Sequence, residues 1–157
     1  MRTDNRTVKN TVVSIYFILI VFGILLATVF KSLEFFVDST FFVFLGLFVV
    51  LVLFHSIAGY FEYDSDGAKI VILNKGLILT EYINYRENKI EFARHQLMGY
   101  KIKDYFFYKS LVVLVKTYDG KQVKERFNVT LLKRRKMRYV KQSLRKTLKE
   151  NSKGKQG

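Results

Sequence analysis

Lys133, Arg134, Arg135 and Lys136 stand consecutively near the end of the chain, and Arg138, Lys141, Arg145 and Lys149 follow at intervals of two to four residues. Ammonium and guanidinium groups at this density recognise anions. Three partners fit the pattern. Solvent alone is one, with the charges serving as a solvated helix face. Anionic lipid is a second, since each Lys or Arg held near a negatively charged leaflet contributes about 1 kcal/mol. Nucleic acid is a third, because Tyr105, Phe106, Phe107 and Tyr108 lie among lysines and could stack on bases. The third is disfavoured: no RNA-recognition motif is present, and strand alternation predicts that about half of those aromatics are core.

Other chemistry is sparse. There is no cysteine, which excludes disulfides, thiolate metal sites and a cysteine nucleophile. No P-loop, Gly-x-Gly-x-x-Gly, nucleophile elbow or His-Glu-x-x-His occurs. His55 and His95 share no ligand spacing. Glu87 and Glu91 read as solvent-facing strand charges rather than an acid pair. Asp64, Asp66 and Gly67 resemble the opening of a calcium loop, but the third acidic ligand and the distal Glu are missing. We expect no enzyme activity, no metal and no cofactor. The sequons at Asn5 and Asn128 read as coincidence.

The elements that must position the basic cluster divide the chain near Tyr60. Half of all residues are hydrophobic, yet the net charge is +14. Residues 61–157 hold 23 Lys and Arg against 10 Asp and Glu, a net of +13. Before the division, residues 11–30 and 39–60 are two runs without one Asp, Glu, Lys or Arg. Each is long enough, as a helix, to cross the roughly 30 Å hydrocarbon core of a bilayer. A chain this small has no protein volume to surround two such helices. The short connection KSLEFFVD makes them an antiparallel hairpin, so both ends of the chain emerge on one side. Arg2, Arg6 and Lys9 outweigh Lys31 and place both termini in the cytoplasm. Residues 1–10 are then a cytoplasmic N-terminal segment. A cleaved signal peptide fits poorly, since the first run is long and lacks a cleavage motif near Ala27. His55 reads as a neutral imidazole near the headgroups. Gly23 and Ala27 form a small-xxx-small pair suited to helix contact.

After Tyr60 the pattern alternates. Strands are predicted in YFEYD, AKIVILNK, LILTEYINYRE, NKIEFARHQ, MGYKIKDYFFYKS and the hairpin SLVVLVKTYDGKQVKERFNV. Asp64 and Asp66 predict local side-chain bonds, with Gly67 at positive φ. Asp119-Gly120 predicts a tight hairpin turn. Ile90, Phe92, Tyr100 and Ile102 are expected inward, and Lys89, Glu91, Lys101 and Lys103 outward. The period then changes to about 3.6: Met137, Val140, Leu144 and Leu148 share one helical face, with Asn128 or Thr130 as the cap. Residues 151–157 are expected to be a disordered tail.

This order resembles small bacterial membrane proteins in which a two-helix transmembrane hairpin precedes a pleckstrin-homology-like domain. The residues that carry the resemblance are Phe61–Gly67 with Gly76–Leu79, then Asn88–Arg94, Tyr100–Tyr108, Leu111–Val129 and Leu131–Lys149. The resemblance implies a small antiparallel β-barrel over residues 61–150, closed at one end by the C-terminal amphipathic helix. It does not carry over a phosphoinositide site, because the first turn, Asp64 to Gly67, is acidic.

The whole chain is therefore expected to be a multi-pass membrane protein of α+β class, in a bacterial inner membrane. Its expected role is that of a non-enzymatic adaptor whose basic domain contacts anionic lipid head groups or a protein partner, possible homo-oligomers included. The alternative is an accessory subunit of a larger transport or secretion complex.

Overall fold

A computed structural model of the chain describes residues 2–29, 46–51, 58–76 and 87–153. The first strand, β1 (Arg2–Asp4), precedes the 24-residue helix α1 (Arg6–Val29). Residues 46–51 are helical. The remaining strands are β2 (Tyr60–Asp64), β3 (Lys69–Lys75), β4 (Asn88–Ala93), β5 (Leu97–Tyr105), β6 (Tyr108–Lys116) and β7 (Gln122–Asn128). The C-terminal helix is α2 (Arg134–Lys153). The chain is thus α+β with antiparallel sheets. Four strands pair in the order β1-β2-β3-β4 and three in the order β5-β6-β7.

The alternation read from the sequence is realised in these sheets. Phe92 is buried and Ile90 half-buried, while Lys89 and Glu91 are exposed. Tyr100 and Ile102 pack on the core. Inner faces of both sheets supply Phe61, Tyr63, Ile70, Ile72, Leu111, Val113, Phe127 and Val129, all fully buried. The stripe Met137, Val140 and Leu144 of α2 covers them, and Leu148 packs alongside. Below that stripe the Tyr63 hydroxyl donates to Ser143 Oγ at 2.9 Å, which ties β2 to the helix.

Several expectations need correction. The sheets do not close into a barrel. Between β4 and β5 the ladder stops at a 3₁₀ turn, Arg94–Gln96. At the start of β4 side chains, not a backbone ladder, reach β7: the Asn88 amide donates to Glu125 Oε2 at 3.1 Å and to the Arg126 carbonyl at 3.3 Å. Two inner faces plus α2 complete the core without closure. Residues 1–10 are not a separate segment. Three of them form β1, and α1 begins at Arg6 rather than Thr11. Neither Asn128 nor Thr130 caps α2. Asn128 Oδ1 accepts from the Thr130 amide, and Thr130 Oγ1 accepts from the Lys109 amide. Residue 151 is no tail: the Asn151 amide, inside α2, donates to the carbonyls of Arg94 (2.8 Å) and Leu97 (3.0 Å). Asp64 does make its local bond, accepting from the Asp66 amide, but Gly120 and not Gly67 is the glycine at positive φ. It sits in a wider loop than expected, with Lys116 paired to Gln122. The predicted strand at LILTEYINYRE falls mostly on 77–86, outside the described residues, as do His55, residues 31–38 and most of the second apolar run.

Two outcomes check this core. Leu144→Ala empties a fully buried site beneath both sheets and should destabilise the fold by about 2–5 kcal/mol in a denaturant melt. Burial chiefly, opposed by the hydrogen bonds to Ser143 and Ser65, raises the Tyr63 phenol above its ordinary value of 10.0. The neutral form is thus favoured in the folded state. Its contribution is complete below pH 10 and is lost as pH rises through the folded value. Tyr63→Phe should flatten the alkaline decline of stability while losing about 1 kcal/mol at neutral pH. An unchanged alkaline limb would contradict this.

Candidate functional site

The basic residues are best placed by first locating where α1 leaves the sheet. β1 pairs with β2 in antiparallel register, Arg2 opposite Asp64 and Asp4 opposite Glu62. These neighbours are separated in sequence by everything from Asn5 to Gly59. Asn5 closes that excursion. Its side-chain Nδ2 donates to the Gly59 carbonyl at 2.8 Å, and its Oδ1 accepts from the Phe61 amide at 2.9 Å. Its backbone amide donates to the Phe61 carbonyl, and its own carbonyl accepts the first bond of α1, from the Lys9 amide. One buried asparagine thus ends a strand, starts a helix and clasps the returning chain. Asp4 Oδ1 accepts from the Arg6 amide at 3.0 Å.

A second amide clasp joins the two sheets at the same place. Asn74 Nδ2 donates to the carbonyls of Tyr60 (2.7 Å) and Asn128 (3.1 Å), and its Oδ1 accepts from the Asn128 amide at 2.8 Å. A Cβ on Gly59 would lie 3.2 Å from the Lys75 carbonyl and 3.3 Å from the Asn128 side chain. Glycine permits this close approach. The ends of β1, β3 and β7 and the start of α1 therefore meet at one end of the domain.

The excursion itself is apolar and open. Among the described residues α1 is the one helix long and apolar enough to cross a membrane. Phe17 (69 %), Ile18 (63 %) and Phe22 (56 %) are largely exposed. Tyr16 is the exception; its hydroxyl donates to the Leu51 carbonyl at 3.1 Å. Asn5 meets Gly59, and Tyr16 meets Leu51 of the helical residues 46–51. Gly23 has no described atom within 4 Å of its Cβ position, and the Ala27 side chain with most of the second apolar run lies outside the described residues.

The basic cluster is not one surface. Lys136 is half-buried; its Nζ reaches the Asp4 carbonyl at 2.5 Å and Asp4 Oδ1 at 3.5 Å. It is a structural tie between α2 and β1. That contact also fixes the first turn of α2 at the junction, with Lys133, Arg134, Arg135 and Arg138 exposed beside it. Arg135 leans on Tyr139, its Nε 2.9 Å from the hydroxyl. The other end of α2 is held by Asn151 at the far end of β4. Lys141, Arg145 and Lys149 are exposed along the way. At about 1.5 Å per residue, Lys149 lies roughly 20 Å beyond Arg135. That is about two Debye lengths at physiological salt. A cavity of about 450 Å³ at the junction is lined by Arg6, Lys9, Lys75, Tyr60 and Glu62 among others. Lys9 Nζ lies 5.5 Å from the centre of the Tyr60 ring, and Lys75 pairs with Glu87 at 3.2 Å.

The aromatic run expected to be half core is instead a hairpin tip. Phe106 and Phe107 form the β5–β6 turn, 94 % and 72 % exposed. Alternation stops at a turn, which is why the sequence pattern misplaced them. Asn5 was missed altogether, since nothing in the local sequence separates it from other polar residues ahead of an apolar run. Among the described residues no three His, Cys, Asp or Glu side chains gather as a metal site. No family model, curated protein or solved structure matches the chain.

Asn5→Ala strips partners from the Phe61 amide and the Gly59 carbonyl, each about 1–3 kcal/mol when buried. We expect a lower melting temperature in detergent and faster amide exchange in residues 2–5. The exposed Asn10→Ala should stay within about 0.5 kcal/mol. Equal behaviour of the two variants would remove Asn5 as the clasp.

Proposed function

We propose that this chain is a membrane-anchored binding protein rather than an enzyme. Its sheet domain is pleckstrin-homology-like and rests against the anionic cytoplasmic leaflet. The observation that carries the reading is the closed excursion. An apolar, largely exposed helix leaves the domain at Asn5, and the chain returns to Asn5 at Gly59. If α1 crosses a bilayer, the chain must cross again to come back, which supports a two-span hairpin with the domain and both termini on one side. The contact of Tyr16 with Leu51 supports the same hairpin. The order of four strands, three strands and a C-terminal helix supports the family resemblance. On this reading the hairpin lies inside the domain, between its first two strands.

The leaflet contact falls to the first turn of α2. Lys133, Arg134, Arg135 and Arg138 lie at the junction end, where each contributes about 1 kcal/mol near an anionic surface. Arg145 and Lys149 are too distant to share in it and keep the far face solvated. The acidic turn from Asp64 to Asp66 is also remote, held by Arg94, whose Nη2 donates to the Ser65 carbonyl at 2.6 Å.

The test uses the full chain, because residues 2–4 belong to the sheet. The protein should stay with membranes through an alkaline wash and leave only in detergent. A donor dye on Ser152→Cys is unambiguous, since the chain has no other cysteine. With acceptors in the lipid headgroups, energy transfer should rise from neutral to anionic vesicles at low salt and fall back at high salt. Replacing Lys133, Arg134 and Arg135 by Gln should abolish that rise, and replacing Arg145 and Lys149 should not. Transfer that ignores lipid charge would end the leaflet reading.

A further inference from the structure

The β5–β6 hairpin ends in four consecutive aromatic residues that the domain does not use. Phe106 and Phe107 pack edge to face, ring centres 4.5 Å apart, and Tyr105 stacks with Tyr108 at 6.4 Å. Phe106 is 94 % exposed, the highest value among the exposed large hydrophobic residues of the described chain. A pair of phenylalanines held in water by a tight turn is costly unless something apolar receives it. We infer that this tip is a second membrane contact, dipping into the interfacial layer of the same bilayer that α1 crosses. This rests on the membrane-anchored reading above.

Position on the fold selects lipid as the occupant. Ser110 of β6 pairs with Asn128 of β7, and Asn128 lies against Gly59, where the chain returns from the apolar excursion. From Ser110 to Phe107 is three residues, about 10 Å of strand. The headgroup layer on each side of the hydrocarbon is roughly 5–8 Å deep. The tip therefore lies within reach of the apolar boundary while the domain stays in water. Its composition suits that depth. Two phenylalanines lead, and two tyrosines flank them with an apolar ring and a polar end. Lys101 and Lys103 follow on β5, and Lys109 on β6 pairs with Asp104 at 2.8 Å. Long basic side chains extend their ammonium groups to phosphate depth while their stems stay apolar. With α1 and the returning chain as one attachment and the tip as another, the domain is pinned at two places. It cannot then swing freely about the Asn5 junction, and the first turn of α2 is kept facing the leaflet.

The chain contains no tryptophan, so a single introduced one reports alone. Phe106→Trp and Ile18→Trp are made separately in the full chain and reconstituted in vesicles of mixed neutral and anionic lipid. Both sites are exposed to anything but protein, so neither substitution disturbs the core. The expected result at position 106 is blue-shifted emission, quenched by lipids brominated near the top of the acyl chain and little affected by aqueous iodide. Emission at the solvent value, quenched by iodide and indifferent to brominated lipid, overturns the inference. Blue-shifted emission that depends on protein-to-lipid ratio and ignores brominated lipid also overturns it, and assigns the tip to a second copy of the chain. Ile18→Trp separates the two levels. Quenching there by deeply brominated lipid, without quenching at 106, leaves the anchor standing and removes only the tip. No quenching at position 18 removes both.

Discussion

The structure depends on a strand pair whose members are joined by the long excursion of the chain. β1 and β2 are neighbours in the sheet, and the residues between them include the apolar helix. Closing a loop of that length has an entropic cost that grows slowly with length but is real. A three-residue edge strand cannot offset it by itself. The amide of Asn5 makes the difference, because it satisfies the Gly59 carbonyl and the Phe61 amide while its own backbone bonds both β2 and α1. Both side-chain bonds are buried, where an unpaired group would cost most.

From that clasp the geometry of the whole molecule follows. The helix starts one residue after the strand ends, so α1 and the sheet share a fixed origin rather than a flexible linker. Lys136 reaches back to Asp4 and locks the start of α2 to the same corner. Asn74 and Asn128 fasten the second sheet there. Three asparagines and one lysine thus gather both sheets and both helices at one end of the domain. The basic first turn of α2 is thereby held at the end of the domain where α1 begins.

Much of the domain was legible before its structure. The two-residue alternation around Ile90 and Phe92 and the 3.6-residue stripe of Met137, Val140 and Leu144 each identify a core face, since burial of apolar area is a local and periodic demand. The reading went astray where pattern gives no information. A three-residue strand is too short to show alternation, so the pattern does not join residues 2–4 to the sheet. The turn at Phe106 and Phe107 breaks the period, so Tyr105, Phe106 and Phe107 are exposed and Tyr108 is half-buried. Polar residues carry no period at all. Asn5, Asn74 and Asn151 bond backbone groups 54 to 57 positions away, and their sequence neighbours are indifferent to those partners.

The apolar run of α1, the strand-rich basic domain after it and the amphipathic helix at its end are all written in local sequence, because hydrophobicity and period are properties of short windows. That the N-terminus joins the sheet, that the sheets stay open and that the eight basic residues divide depend on contacts between distant residues. Lys136 is committed to Asp4, four residues stand at the junction, and three run away from it along α2. Charge is written residue by residue, but which charges act together depends on the distances between them. The helix rise sets their spacing along α2, but which of them stand at the junction is set by the long-range bonds of Lys136 and Asn151, which no local pattern encodes.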